Sequence, residues 1–358
     1  MDRRIIGARL RRLREETGLS QGAFARRLGL SGEYISLLEA AKRTPSFATL
    51  NKIAAFLHKD ISVFFEEKEN ALLLLLRGEG LDDRSRSELM RFRRYCEEYL
   101  KLEEITGRRL PLAPHYAPIA ADRMADEERR RLGLGDEPIR DIFSLMEMNG
   151  CRVLRQPLPP ECKVSGAFIF LEARQAAFAL INAAQSAGRQ AFSAAHEYCH
   201  YLRDRADGPV IENPDVFIDE LVSLYPPREQ YAQQFAARFL MPPGKVREIV
   251  DKDMAGKRLS YEDVLYLKRY FGVSAVAMLR TLRDAGYLGR AAFEQFYKAD
   301  HDRRERDLFG STAEEASGAK GGVLGLARKR AVASDRYRLL AEEARKRPAP
   351  VKPAKSGK

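Results

Sequence analysis

The sequence predicts a mostly helical α+β protein, with a small all-α unit at the N terminus followed by a larger α+β unit that contains a small sheet. Two observations predict this architecture. In roughly the first 65 residues, apolar side chains recur at helical spacing in short segments that Gly and Ser interrupt. Further on, the apolar run Gln175–Asn182 is typical of a strand, and the amphipathic segment after it is typical of a helix. A chain of 358 residues with 45% hydrophobic content can bury a core in each unit.

The N-terminal segment is expected to form a bundle of short helices. The expected helices are Ile6–Thr17, Gln21–Leu28, Gly32–Glu39 and a fourth that begins after Ser46 and ends near His58. Gly18 ends the first helix, and Ser20 caps the second, because a serine oxygen can accept a hydrogen bond from the free N–H groups of a helix start. The segment Asp60–Phe65 is expected to complete the bundle. The short turn between the second and third helices has helix-turn-helix spacing.

The residue pattern of this bundle resembles the XRE (Cro/C1-like) helix-turn-helix family over essentially its whole length. The matching pattern is Leu-Ser-Gln-x-x-Phe-Ala, then Ser-x-x-Tyr-Ile-Ser-x-Leu-Glu, then Arg-x-Pro-Ser. The resemblance implies binding to a double-stranded DNA operator, with the start of the second helix at the phosphate backbone and the third helix in the major groove. The residues implied at the DNA are Gln21, Ser31, Gly32, Glu33, Tyr34, Ser36 and Arg43. Ala41 departs from the family, which usually has a glycine after the third helix.

Charge favours DNA binding over the alternative of a dimerisation or scaffold bundle. Residues 1–60 carry 12 Lys or Arg against 6 Asp or Glu. The operator sequence cannot be read, because Gly32 and Glu33 are not the strong guanine readers that arginine is.

The most specific chemical signal is the run His196-Glu-Tyr-Cys-His200. Two histidines at this spacing lie one turn apart on one face of a helix, where they can share a metal ion, and Glu197 is then a candidate general base. The chain has only five histidines, and Ala206 stands where the extended metzincin pattern needs another one. The third ligand is therefore expected to be acidic.

Two acidic residues are candidates for the third ligand. Asp204 lies about 12 Å further along the helix axis than His196, so on a straight helix it is expected to support a ligand from behind or to lie at the surface. Glu229 opens a second amphipathic helix. The apolar stripe of that helix is Ala232, Phe235, Ala236 and Phe239. If the stripe packs on the motif helix, His196, His200 and Glu229 form a His₂Glu site with one open position.

Several blocks between about residues 119 and 290 resemble the ImmA/IrrE family of bacterial and phage zinc endopeptidases. The blocks are Leu132–Ile142, Val164–Gly166, Arg189–Phe192 and Glu229–Pro242. The resemblance implies a zincin-like α+β metallopeptidase domain with a small sheet, with Zn²⁺ on His196, His200 and Glu229. It makes Glu197 the base that deprotonates the attacking water and returns the proton to the leaving amine. Mn²⁺ or Fe²⁺ also suits such ligands.

Two departures from this second family are visible, and neither removes a ligand. Gln233 stands where the family usually has Asn, and Tyr198–Cys199 replaces the common Leu-Gly inside the motif.

The two resemblances together predict a transcriptional regulator that couples DNA binding to a zinc endopeptidase. The expected substrate is a regulatory protein, such as a repressor or an antitoxin-like partner, cleaved under stress or during mobile-element induction. One alternative is a transcription factor whose zinc domain does not cleave and serves as a sensor or dimerisation module. Another is a protease that cuts its own linker near Leu110–Pro118.

The expected domain order is a helix-turn-helix domain at 1–68, a helical connector with a proline-rich linker at 69–118, the peptidase domain at 119–300 and a basic, partly disordered tail at 301–358. The connector is expected to contain the helices Asn70–Arg77 and Ser85–Ile105. The apolar stripe of the second would bury itself in the peptidase or in a twin subunit, and a homodimer is favoured because helix-turn-helix proteins usually bind two half-sites.

The C-terminal stretch Lys320–Lys358 holds 12 Lys or Arg against 3 Asp or Glu, and Pro348–Pro353 cannot continue a helix. It is expected to be solvated, or to add a non-specific DNA contact.

No feature of the sequence indicates export or membrane insertion. The N terminus lacks an apolar signal segment, and the longest aliphatic run, Ala71–Leu76, is too short to span a bilayer. The four cysteines, Cys96, Cys151, Cys162 and Cys199, include no C-x-x-C pair, so each is expected to be a buried thiol. A cytoplasmic protein without a membrane partner is expected.

Overall fold

A computed structural model of the chain divides into two compact units, Met1–Asn70 and Ala71–Lys358. The structure describes residues 3–17, 19–57, 61, 82–162, 164, 166–205, 210–212, 226–254, 258–313, 315 and 332–346. Three expected segments lie outside the described residues: Asp60–Phe65 apart from Ile61, the helix Asn70–Arg77 and the proline-rich stretch Pro348–Pro353. The bounds of the four expected domains stay predictions. None of the described helices combines the length and the apolar character needed to cross a membrane.

The described part of the N-terminal unit consists of four helices in the predicted order. They are α1 (Arg3–Glu16), α2 (Gln21–Arg27), α3 (Gly32–Glu39) and α4 (Phe47–Phe56). The side chains of Ser20, Ser31 and Ser46 cap α2, α3 and α4, each by accepting a backbone N–H of the first turn. One hydrophobic core joins all four helices, with Leu10 and Phe24 fully buried in it. The predicted all-α fold of this unit is confirmed.

A buried ion pair fixes α3 against α1. Arg14 donates from Nε to Glu39 Oε1 at 2.7 Å and from Nη2 to Oε2 at 3.1 Å. Gln21, the first residue of α2, donates from Nε2 to Glu39 Oε2 at 2.8 Å. The Glu39 side chain is only 3% exposed, and a buried carboxylate is tolerated only with partners of this kind. Glu39 therefore holds three helices in one arrangement.

The turn after α3 contains a strained residue. Ala41 has φ = 57°, in the left-handed region that favours glycine. A residue with a Cβ atom pays about 1 kcal/mol for this conformation. The alanine therefore costs stability at this turn.

A five-stranded sheet lies at the centre of the second unit. Its strands are β1 (Cys151–Gln156), β2 (Gly166–Leu171), β3 (Ala176–Asn182), β4 (Val210–Glu212) and β5 (Val332–Ala333), in the order β4-β2-β3-β1-β5. Strand β1 pairs with β3 in parallel, and the other three pairings are antiparallel. The predicted strand Gln175–Asn182 is β3, which starts one residue later because Gln175 turns with φ = 46°.

Eleven α-helices accompany this sheet in the described part of the unit. They are α5 (Asp83–Thr106), α6 (Ala121–Arg131), α7 (Ile142–Met148), α8 (Ala187–Arg203), α9 (Pro227–Leu240), α10 (Pro243–Asp253), α11 (Tyr261–Phe271), α12 (Ala275–Asp284), α13 (Arg290–Tyr297), α14 (His301–Phe309) and α15 (Asp335–Lys346). The predicted fold class, mostly helical α+β with a small sheet, is confirmed.

The two faces of the sheet belong to two separate cores. Alternate residues of a strand point to opposite faces: Val153 packs toward α8 and α9, whereas its neighbour Leu154 packs toward α5 and α15. Likewise Ala179 lies on the first face and Phe178 on the second. The sheet is therefore a middle layer with helices on both sides.

The second face is covered by α5, whose apolar stripe the sequence predicts. Leu89, Phe92, Cys96 and Tyr99 of this stripe are almost fully buried against the sheet. The stripe is used within the chain, so a homodimer would need another surface and stays a prediction.

The stretch expected to be a tail contributes ordered structure to the same face. Strand β5 pairs with β1, and α15 packs on α5, with Leu340 in the core and Tyr337 stacked on Tyr95 at 5.0 Å between ring centroids. Sequence reasoning does not anticipate either element.

Candidate metal centre and recognition helix

The motif helix α8 lies on the first face of the sheet and is buried along most of its length. Its start approaches the turn before α12 so closely that a Cβ atom on Gly188 would lie 2.3 Å from the carbonyl carbon of Val273. A glycine is required at this point, and it lets the helix sit deep in the core. His196, Glu197 and His200 are consequently all 0% exposed.

Helix α9 packs against α8 through the predicted stripe. Ala232, Phe235, Ala236 and Phe239 are fully buried in the shared core, and the ring of Phe239 lies 5.8 Å from that of Tyr198. Glu229, in the first turn of α9, therefore faces the motif histidines.

The structure brings His196, His200 and Glu229 together. The Nε2 atom of His196 lies 3.0 Å from Oε2 of Glu229 and 3.1 Å from Nε2 of His200. Nε2 of His200 lies 3.6 Å from the same carboxylate oxygen. Two imidazole nitrogens that face each other can share only one proton, whereas a single cation can accept all three lone pairs. These residues form a group that can hold a metal ion.

Electrostatics at this group favour positive charge between the side chains. Burial lowers the pKa of the His196 imidazole. Burial also acts to lower the pKa of His200, but its contacts with Asp204 and Glu229 outweigh that effect and raise it. For Glu229, burial acts to raise the pKa of the carboxyl, but the two histidines hold it well below its ordinary range. An ionised carboxylate beside imidazoles is the donor set that divalent metals prefer.

Asp204 stands directly behind His200. Its Oδ2 atom lies 2.7 Å from Nδ1 of His200, and its side chain is 4% exposed. Asp204 was expected either behind a ligand or at the surface. Because the residue is buried, its position is the one behind His200. The signal for this contact is in the sequence, because Asp204 follows His200 by four residues and side chains at that spacing are neighbours on one helix face.

Glu197, the predicted general base, directly follows His196 on α8 and is fully buried. The two residues after it explain how the unusual motif is accommodated. Tyr198 donates its hydroxyl to Oε1 of Glu128 on α6 at 2.5 Å. Cys199 is buried, and burial raises its pKa well above the ordinary thiol value, so it is an inert core residue.

The residues predicted to contact DNA occupy α2, α3 and the turn behind α3. Ser31, Glu33 and Arg43 are exposed, whereas Gly32, Tyr34, Ser36 and Gln21 are partly buried. The Ser31 hydroxyl accepts the N–H of Tyr34 as a helix cap, and the guanidinium of Arg43 lies 4.9 Å from the centre of the Tyr34 ring.

Two family matches cover separate parts of the chain. A helix-turn-helix domain matches residues 5–60. An IrrE N-terminal-like domain, from a peptidase family, matches residues 149–283, which include the two histidines and Glu229. Helices α5, α6 and α15 lie outside both matches.

Similar proteins were found for the N-terminal part and for the whole chain. An uncharacterised HTH-type transcriptional regulator, y4dJ of Sinorhizobium fredii, is 40% identical over 52 residues, which are 14% of this chain and 68% of that protein. PlcR of Bacillus thuringiensis, solved in complex with a peptide and DNA, is 14% identical, with 88% of this chain and 98% of that chain covered and a TM-score of 0.20. ComR of Streptococcus suis is 12% identical, with 96% and 89% covered and a TM-score of 0.17. TM-scores this low assign no common architecture.

Proposed function

Because this chain belongs to the helix-turn-helix transcriptional regulators and carries an IrrE N-terminal-like domain of a metallopeptidase family, we propose that it is a DNA-binding regulator with a zinc-dependent endopeptidase activity. The peptidase hydrolyses a peptide bond in another regulatory protein, such as a repressor or an antitoxin-like partner. One observation carries the enzymatic part. Three lone-pair donors, on His196, His200 and Glu229, converge within 3.0 to 3.6 Å of one another in a buried site.

In the proposed reaction, the three donors hold Zn²⁺, for which Mn²⁺ or Fe²⁺ could substitute. When bound, the ion would supply Lewis acidity toward water and a peptide carbonyl. Glu197 accepts the proton of the attacking water on its carboxylate. As the C–O bond forms and the C–N bond breaks, Glu197 passes that proton to the departing amide nitrogen.

The DNA-binding part rests on the geometry of the N-terminal unit. Exposed Ser31, Glu33 and Arg43 lie at α3 and the turn behind it. The Arg14–Glu39 pair holds α3 in a fixed orientation, which a helix that reads base edges requires. The net charge of residues 1–60 supports attraction to the phosphate backbone.

Substrate cleavage in trans is favoured over cleavage of the chain's own linker. The backbone of Ala113, in the middle of that linker, is engaged on both sides: its N–H donates to Tyr201 Oη at 2.6 Å, and its carbonyl accepts from Nη1 of Arg205 at 2.8 Å. A peptide bond must leave such contacts before it can be bound as a substrate.

A metal and cleavage assay on four proteins tests the proposal. Wild type is expected to hold about one zinc per chain and to cleave members of a proteome-derived peptide library, read by mass spectrometry. Glu197→Gln is expected to keep zinc and operator binding but to lose cleavage, because only the proton carrier is changed. His196→Ala and Glu229→Ala are expected to lose the metal. Cleavage by Glu197→Gln at the wild-type rate, or a wild type without metal, would contradict the proposal.

A further inference from the structure

The carboxylate of Asp204 contacts both helices that carry the metal ligands. On its own helix, Oδ2 lies 2.7 Å from Nδ1 of His200. When the ring nitrogen donates to this carboxylate, the proton is fixed on Nδ1 and the lone pair on Nε2. Nε2 is the atom that faces His196 and Glu229. Asp204 therefore determines which form of His200 is presented to the site.

The same carboxylate pairs with the first turn of α9. Nε of Arg228 lies 3.2 Å from Asp204 Oδ2, and Arg228 directly precedes Glu229 in the chain. The chain leaves α8 at Arg203 and begins α9 at Pro227, so this ion pair joins the end of one ligand-bearing helix to the start of the other. The Asp204–Arg228 pair is a direct link across that interval.

A third contact strengthens the link. Arg203 forms an ion pair with the other oxygen of Asp204, with Nη1 and Oδ1 3.2 Å apart. Its guanidinium also lies 4.0 Å from the centre of the Tyr231 ring on α9, a distance typical of a cation–π contact. We name Arg203, Asp204, Arg228 and Tyr231 the brace. Asp204 is its centre, because a buried carboxylate requires such partners.

We propose that Asp204 is a positioning residue that aligns two of the three metal ligands, His200 directly and Glu229 through Arg228. The proposal rests on the proposed function, since it presupposes that the three residues bind a metal. The brace itself touches neither substrate nor metal. Its expected effect is on the metal affinity of the site and on the arrangement of the ligands around the ion, in addition to any effect on folding.

The test measures the zinc dissociation constant of the full chain by competition with a chromophoric chelator. Asp204→Asn is expected to weaken zinc binding about 10- to 100-fold, the usual result of removing a partner behind a ligating histidine. Arg228→Met is expected to weaken it about two- to tenfold, and Arg228→Lys less, because lysine keeps the positive charge that faces Asp204. In the double variant the losses should be smaller than their product, because Arg228 acts through Asp204.

A matched control lies on the same helix. Arg238 forms a bidentate pair with Asp126 of α6 at 2.7 and 2.6 Å, so Arg238→Met also breaks an Arg–Asp link of α9, but at the end away from Glu229. This variant should bind zinc as wild type does. The visible spectrum of the cobalt-loaded protein gives a second readout, which Asp204→Asn should change and Arg238→Met should not.

The outcomes separate this proposal from the proposed function. Zinc-free wild type overturns both. Zinc on wild type that is lost in His196→Ala, but held with unchanged affinity by Asp204→Asn and by both Arg228 variants, overturns the brace alone. If Asp204→Asn does not fold, as judged by its melting curve, the two Arg228 variants decide, and unchanged zinc affinity in both would refute the proposal. If Asp204→Asn folds, fully additive losses in the double variant would also refute it.

Discussion

Two buried polar clusters lie on opposite faces of the same sheet. They differ in whether hydrogen bonds within the protein or a bound cation would satisfy their polar atoms. On the second face, Arg152 donates to both oxygens of Glu103 at 3.1 and 2.6 Å and to the carbonyl of Gly150 at 3.2 Å. Arg336 adds a further bond to Glu103 at 2.7 Å. In this ionic cluster of Glu103, Arg152 and Arg336, each described contact joins a donor to an acceptor.

The cluster on the first face is built in the opposite way. Nε2 of His196, Nε2 of His200 and Oε2 of Glu229 converge on one another, and each of these atoms can give a lone pair to a cation. Burial is the same in both places, since Arg152, Glu103 and the two histidines are at most 2% exposed. Burial of charged groups therefore does not identify a functional site by itself. The balance of donors and acceptors distinguishes a structural cluster from one that fits a cation.

The largest expected effect comes from breaking the ionic cluster. Arg152→Met leaves Glu103 buried with only Arg336 as a charged partner, and we expect the free energy of unfolding of the second unit to fall by about 3 kcal/mol, at the low end of the range for a broken buried pair. Urea unfolding followed by circular dichroism measures it. The folded variant should still bind metal with wild-type stoichiometry, and loss of metal without loss of structure would contradict the distinction between the clusters.

The next largest effect is expected when zinc binds to the cluster on the first face. Zinc at about 100 times its dissociation constant should stabilise wild type by about 2.7 kcal/mol, because it binds the folded state. Glu229→Ala should lose this gain. Glu248→Ala, which removes an exposed carboxylate of α10, is the control and should keep it. Thermal melts with zinc and with a chelator give the comparison, and equal gains in both variants would show that the ion binds elsewhere.

A smaller loss is expected when the ionic cluster loses its second arginine. Arg336 also donates to Tyr99 Oη and to the carbonyl of Arg108, so Arg336→Met should cost about 2 kcal/mol. Hydrogen exchange should accelerate in α15 and stay unchanged in α8. Arg338→Met, on the same helix but largely exposed, should have little effect on either. Faster exchange in α8 would mean that the two faces are coupled.

The two clusters also differ in how far they could be predicted from the sequence. The convergence of His196, His200 and Glu229 could be predicted because the two histidines sit at a fixed helical spacing, and because the stripe after Glu229 indicates which face of α9 is buried. The ionic cluster was not, since its members come from α5, β1 and α15, far apart in the chain. The stripe of α5 is visible in the sequence, but a stripe does not specify its partner.

The charged C-terminal stretch shows most clearly which parts of the fold could not be predicted from the sequence. Its net charge favours a solvated tail, yet Leu340 and Tyr337 pack α15 onto α5, and Arg336 reaches Glu103. Strand β1, with the sequence CRVLRQ, was missed for a related reason. Arg152 occupies a position that faces a core, and only the distant Glu103 makes a buried arginine tolerable there.

The smallest expected effect comes from a residue outside both clusters, and it shows how small a change in stability the unfolding assay can resolve. Ala41→Gly should stabilise the N-terminal unit by about 1 kcal/mol, because glycine adopts φ = 57° without the Cβ penalty. Ala40→Gly is the matched control. Its φ of −79° suits any residue, so the glycine adds only flexibility to the unfolded chain and should lower stability by about 0.5 kcal/mol. Opposite signs at neighbouring alanines, with unchanged metal affinity in both variants, would show that the unfolding assay resolves effects much smaller than those expected from either cluster. Equal signs would mean that the turn after α3 relaxes in solution and that the strain at Ala41 is not retained.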